Sequence, residues 1–170
     1  KVEKKTETTN PEAYEFYLKA NHKYNKRENK DDTEIARGLL KKAIELDDNL
    51  IVAKNLLGWT YSVTGDYDRA MGIFTPALKQ AEKIDDKVGI GYILNGIGFV
   101  YRDKGDYDKA LDYYGRSLAI QEELGNKIGR GNSLNCIGNV YRNKGDYDKA
   151  LDYSGRSLAI REELGDKLGM

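Results

Sequence analysis

The sequence predicts an all-α protein, a right-handed superhelical solenoid of antiparallel helix pairs about four repeats long. Three observations predict it. Residues 98–129 recur at 138–169, forty residues on, with six differences in 32 positions. Within each copy the apolar residues fall at helical spacing, as in Ile93, Ile97, Val100 and Tyr101. A Gly-Asp turn punctuates each of the three later copies at the same place: Gly65-Asp66, Gly105-Asp106 and Gly145-Asp146. No stretch alternates with period two for long enough to argue for a strand.

Taken in order, residues 1–10 are polar and read as a disordered N-terminal segment. Residues 11–170 read as one repeat domain, with repeats at about 11–49, 50–86, 87–126 and 127–166 and the start of a further helix at 167–170. The first copy is the most diverged, visible as Ala36-Arg-Gly-Leu-Leu-Lys-Lys-Ala43. Its inter-helix loop, Arg27–Asp32, lacks the Gly-Asp turn and reads as extended. The second copy carries Gly58-Trp-Thr-Tyr61 and Gly65-Asp-Tyr-Asp-Arg-Ala70, and Pro76 is placed to kink its second helix because it removes an amide donor. In the third copy Gly105 suits a left-handed helix end, and Asp106 caps the helix that follows. That helix buries Tyr107, Ala110, Leu111, Tyr114 and Leu118, and Gly125 ends it before Asn126 opens the fourth copy. The acidic pairs Asp31/Asp32, Asp47/Asp48 and Asp85/Asp86 fall at helix boundaries and read as caps.

Composition excludes several function classes. The 28 lysines and arginines balance the 28 aspartates and glutamates, so the cation surplus that nucleic-acid binding needs is missing. No apolar run approaches the ~20 residues that span a bilayer, and no signal peptide opens the chain. The single cysteine, Cys136, rules out an internal disulfide framework and fits a cytoplasmic location. Cys136 reads as a buried structural thiol, with a nucleophile as the alternative. His22 is the only histidine and reads as a surface residue, so a His-rich metal site is excluded. Gly89, Gly91, Gly96 and Gly98 lack the preceding strand and the spacing of a dinucleotide loop. Asp103, Asp106 and Asp108 suggest a calcium loop until Tyr114 falls where the bidentate Glu belongs. No catalytic constellation, cofactor or metal is expected, and the chain reads as a non-enzyme.

The repeat skeleton resembles the tetratricopeptide repeat (TPR) family, in the form of about 40 residues found in kinesin light chains and Pins-type scaffolds. The residues that carry the resemblance are Leu57, Gly58, Tyr61, Ala70, Phe74 and Ala77; then Ile97, Gly98, Tyr101, Ala110, Tyr114 and Ser117; then Ile137, Gly138, Tyr141, Ala150, Ser154 and Ser157. Glycine and alanine let two helices approach, and the aromatic fills the seam; Ser154 departs from that pattern. The opening Asn10-Pro-Glu-Ala-Tyr-Glu-Phe-Tyr-Leu18 is similar to the start of repeat regions attached to cyclase-like and other signalling proteins.

The first helix of each repeat lines the concave surface of such a solenoid. The residues pointing away from the packed stripe are then Asn55, Trp59 and Ser62; Tyr92, Asn95, Phe99 and Arg102; and Asn132, Asn135, Asn139 and Arg142. Asn55, Asn95 and Asn135 recur every forty residues. An amide side chain both donates and accepts, so this ladder suits an extended peptide backbone, and the resemblance implies the same use. The alternative is that duplication copied the asparagines, or that they bond within the solenoid. Arg102 and Arg142 suit a partner carboxylate, or are simply solvated.

Two functions follow as expectations. The first is a protein-interaction module that binds an extended peptide or a helix in its groove, as the scaffold or sensor part of a larger signalling protein. The second is structural self-assembly through the repeat ends. The chain opens on Lys1 and stops at Met170 like a piece of something longer. Tyr153, Leu151, Leu158 and Ile160 are then expected to be partly uncovered, which favours a weak homodimer.

Overall fold

A computed structural model describes the backbone of residues 10–168 and the side chains of residues 10–165. The proposed N-terminal segment, apart from Asn10, and the last two residues lie outside it. Among the described residues all regular structure is helical: α1 (Pro11–Asn25), α2 (Lys30–Leu46), α3 (Ile51–Ser62), α4 (Tyr67–Lys83), α5 (Lys87–Asp103), α6 (Tyr107–Glu123), α7 (Lys127–Lys144) and α8 (Tyr147–Leu168). Short connections join consecutive helices, so each sequence repeat becomes one antiparallel pair, as expected for the fold class. The chain divides into two compact units between Gly89 and Ile90.

In the first unit Asn10 caps α1, its side-chain oxygen accepting from the amides of Glu12 and Ala13, while its amide group donates to the Leu46 carbonyl at 3.0 Å. The seam between α1 and α2 is built from small residues, Ala13, Ala20, Ala36 and Ala43, with Leu40 among them, all fully buried. The α1–α2 connection is shorter than the sequence suggests. Lys30–Asp32 are already helical, because Asn29 caps α2 by accepting from the Asp32 amide at 3.1 Å. Asp31 and Asp32 add negative charge to the helix's positive first turn. Between α3 and α4, a Cβ on Gly58 would overlap the fully buried Phe74 ring, so only glycine permits this approach. Pro76 sits inside α4, which nevertheless runs unbroken to Lys83. Asp85 then takes a left-handed backbone (φ 54°) where the next copy has Gly125, and Asp86 accepts from the Gly89 amide at 2.9 Å to start α5.

The second unit repeats one pattern. Gly105, Gly125 and Gly145 end helices with φ of 81°, 64° and 81°, and Asp106, Asn126 and Asp146 cap the helices that follow. Gly98 lies against the Tyr114 ring, where a Cβ would come within 2.8 Å of its carbons. Tyr114, Ala110, Ile137 and Val140 form one cluster of the core, with Tyr107, Leu111, Leu118, Cys136 and Tyr153 packed round them. Tyr101 stacks on Tyr113, and Tyr141 on Tyr153, with ring centroids 5.4 and 5.6 Å apart. The boundary expected at Asp166 is absent from the backbone: α8 continues through Gly165 to Leu168. Gly125 ends α6 in a left-handed conformation, and Gly165, forty residues on, does not adopt it.

The apolar residues of α8 divide by face. Leu151 and Leu158 are 72% and 56% exposed, Tyr153 is half-buried, and Ile160 is only 5% exposed. Ile160 therefore belongs to the core; its side chain points at α7, about 3.6 Å from where a Cβ on Gly131 would sit.

Candidate functional site

The asparagine ladder resolves into positions with different surroundings. In the first unit Asn55 is half-buried, and its side-chain oxygen is enclosed without a hydrogen-bond partner. Trp59 is half-buried on the same helix. Ser62 is buried, its hydroxyl donating to the Gly58 carbonyl at 3.1 Å, which takes it off the surface.

In the second unit Asn95 is 9% exposed, and its side-chain oxygen accepts from the Ser133 hydroxyl at 3.3 Å. This bond joins α5 to α7, the inward alternative for the ladder at this rung. Ser133 also lies 3.2 Å from Ser117, whose hydroxyl donates to the Gly91 carbonyl at 2.8 Å. The Ser157 hydroxyl makes the same bond to Gly131, again at 2.8 Å. This buried polar seam escaped the reading of apolar stripes. Its signal was present in the sequence: Gly91/Ser117 and Gly131/Ser157 repeat one spacing of 26 at an offset of forty.

On α7 the ladder faces outward. Asn132 is exposed, Asn135 and Asn139 are half-buried, and none of the three has a side-chain hydrogen-bond partner within the described residues. Their i, i+3, i+7 spacing sets them along one helix face. Tyr92 and Phe99 are half-buried on α5.

The two arginines differ as well. Arg102 is half-buried, with its guanidinium 4.5 Å from the Phe99 ring centroid and 2.7 Å from the Asp103 carboxylate. Burial works against its charge, but the Asp103 hydrogen bond and charge outweigh that and hold its pKa above the usual value. Arg142 is exposed and has neither a carboxylate nor a ring partner among the described residues.

Cys136 packs beside Tyr114. Burial pushes the thiol's pKa up, against the opposing pull of Arg102, so the nucleophilic thiolate is disfavoured. His22 is exposed, as expected. Among the described residues no cluster of three or more His, Cys, Asp or Glu side chains is placed to hold a metal, and no helix is long and apolar enough to cross a membrane.

Helix pairs closed by a glycine–aromatic contact, repeating every forty residues, define a helical repeat protein. The chain belongs to the tetratricopeptide repeat family, whose model matches residues 50–123 and again 89–163. The fold is shared by solved structures at low identity. BtubC (BKLC) from P. vanneervenii has a TM-score of 0.71 and 22% identity, over 90% of this chain and 64% of that one. Aspartyl phosphate phosphatase F from Bacillus subtilis has a TM-score of 0.75 and 22% identity, over 91% of this chain. MamA MSR-1 C2 has a TM-score of 0.52 and 20% identity, over 77% of this chain and 68% of that one. The chain spans 41% of the phosphatase and just under two thirds of BtubC. No curated protein sequence matches it. TPR repeats are in general non-catalytic modules of protein–protein interaction.

Proposed function

We propose that the chain binds an extended peptide or a helix of another protein along the outward faces of its first helices, as the scaffold or sensor part of a larger signalling protein. The observation that carries this reading is the row Asn132, Asn135 and Asn139 on α7, three amide side chains on one face that spend no hydrogen bond on the described residues. Each can donate to a backbone carbonyl and accept from a backbone amide at once, which suits a partner recognised through its main chain. Tyr92 and Phe99 on α5 add half-exposed aromatic surface. Asn55 and Trp59 take the corresponding part in the first unit. No nucleic acid, metal or cofactor enters this reading, and a cytoplasmic setting suits the lone cysteine.

The test is a peptide selected from a displayed random library, with its affinity measured for the parent and for Asn132→Ala plus Asn135→Ala. Two lost hydrogen bonds of about 0.5–1.5 kcal/mol each weaken binding roughly tenfold or more, while the helical circular dichroism stays unchanged. Unchanged affinity removes α7 from the site.

Self-assembly is the second reading. It is favoured by the exposed Tyr147, Leu151 and Leu158 of α8, an apolar row on one helix face. Sedimentation that stays monomeric from micromolar to near-millimolar concentration eliminates it.

A further inference from the structure

One cleft of the second unit, about 400 Å³ in volume, has charged residues around it that are unevenly spent. Its apolar lining is Leu134 of α7 with Ala159 and Ile160 of α8. Around these stand Arg130 of α7, Glu122 of α6, and Arg156 and Glu163 of α8. A mostly apolar cleft of this size with a few polar groups to fix orientation suits a small molecule. The face is open by its place in the repeat. Arg116, Ala119 and Glu123, forty residues before Arg156, Ala159 and Glu163, are exposed although α7 and α8 follow them. Glu163 pairs with Lys127, and the Arg156 guanidinium lies 3.6 Å from the Asp152 carboxylate and 5.1 Å from the Tyr153 ring centroid. Arg130 and Glu122 have no side-chain partner among the described residues, each other included. The two preceding copies carry Leu50 and Ile90 where Arg130 stands, so a half-buried charge has replaced an apolar side chain without an acid to meet it.

We propose that this cleft binds a small zwitterion with an apolar body, of the class of a free aromatic or branched amino acid. The ligand's carboxylate takes the planar fork of Arg130, its ammonium meets Glu122, and its side chain lies on Leu134, Ala159 and Ile160. Both charges are needed on one small body, because a lone anion leaves Glu122 facing it and a lone cation leaves Arg130. The site stands apart from the asparagine row. Arg130 and Leu134 lie roughly 150° round α7 from Asn132, Asn135 and Asn139, as 3.6 residues per turn dictates. The inference therefore goes beyond the peptide-binding reading and does not rest on it.

L-phenylalanine is the probe, followed by amide shifts of the ¹⁵N-labelled chain. A ligand of this size is expected to saturate in the millimolar range, with the largest shifts at Arg130, Gly131, Leu134 and Ala159. N-acetyl-L-phenylalanine lacks the ammonium, and L-phenylalaninamide lacks the carboxylate. Each is expected to bind roughly three- to tenfold more weakly, since each forfeits one ion pair of a partly open site. Glu122→Gln weakens phenylalanine by a similar factor and does not weaken the acetyl analogue. Arg130→Ile, which restores the residue type of the preceding copy, weakens phenylalanine and does not weaken the amide. Ala159→Trp fills the cleft from an exposed position and abolishes the shifts. Three results overturn the proposal: no saturation below about 50 mM, single-charge analogues that bind as tightly as phenylalanine, or shifts that survive Ala159→Trp. Asn132→Ala plus Asn135→Ala is expected to leave phenylalanine binding unchanged; a loss there puts the ligand in the groove and overturns the proposal as well.

Discussion

Replacing Tyr114 separates what its ring contributes from what its hydroxyl costs. The side chain is fully buried, its ring lies against Gly98, and its hydroxyl sits beside the Cys136 thiol without a hydrogen-bond partner of ordinary geometry. Truncation by Tyr114→Ala removes the ring from a seam that only glycine makes possible. The loss of transfer energy plus the cavity costs about 3–5 kcal/mol. Tyr114→Phe keeps the ring and deletes an unsatisfied buried group, whose desolvation costs about 1–3 kcal/mol, and gives up only a weak thiol contact. Phe74, which is fully buried against Gly58 in the preceding copy, shows that a phenylalanine fits this seam. The phenylalanine variant is therefore expected to match the parent or exceed it by up to about 1 kcal/mol. In urea, with a slope near 2 kcal/mol per molar, the alanine midpoint falls by about 1.5–2.5 M and the phenylalanine midpoint holds or rises. The pH dependence adds a second readout. Burial raises the Tyr114 pKa above its ordinary value, so the unfolded chain ionises first. The stability held by the neutral phenol is complete below about pH 10 and is lost as pH rises past it; Tyr114→Phe removes that loss. A phenylalanine variant destabilised by more than about 1 kcal/mol would refute the reasoning, because the hydroxyl would then have a strong partner.

Asp32 and Cys136 supply two further tests. The Lys23 ammonium, 2.5 Å away, and the Glu28 amide hold the Asp32 carboxyl below its ordinary pKa. Its contribution to stability is present above about pH 4 and disappears as pH falls through the lowered pKa. Asp32→Asn is expected to lower the melting temperature at pH 7, with the gap to the parent closing in acid; a gap that persists there contradicts the assignment. Cys136, with its pKa raised by burial, is expected to react with iodoacetamide in the native protein roughly tenfold or more slowly than in urea. Equal rates would mean an exposed, reactive thiol.

Glycine at a helix end, aspartate or asparagine at the next cap, and alanine or glycine in the seam each act within a few residues of where they stand. The sequence by itself therefore determined the order of the helix pairs among the described residues from its forty-residue period, the turns at Gly105, Gly125 and Gly145, and the caps at Asp106, Asn126 and Asp146. It misjudged the α1–α2 connection, where Asn29 caps a helix without a preceding glycine, and α8, where Gly165 stays in the helix. Burial is a different quantity, because it depends on side chains tens of residues away. Asn95 and Asn135 are the same residue at the same point of the repeat, but Ser133 of α7 bonds Asn95 inward, and Asn135 is left without a hydrogen-bond partner among the described residues. Leu151 and Ile160 lie on one helix and carry equal hydrophobicity, but only Ile160 points at Gly131. Arg102 and Arg142 parted when a ring and a carboxylate near the second were replaced by amides. Tertiary structure alone decided which copy of each repeated residue is spent on the fold and which remains open to a partner, because covering a side chain takes a neighbouring helix that its own repeat does not encode.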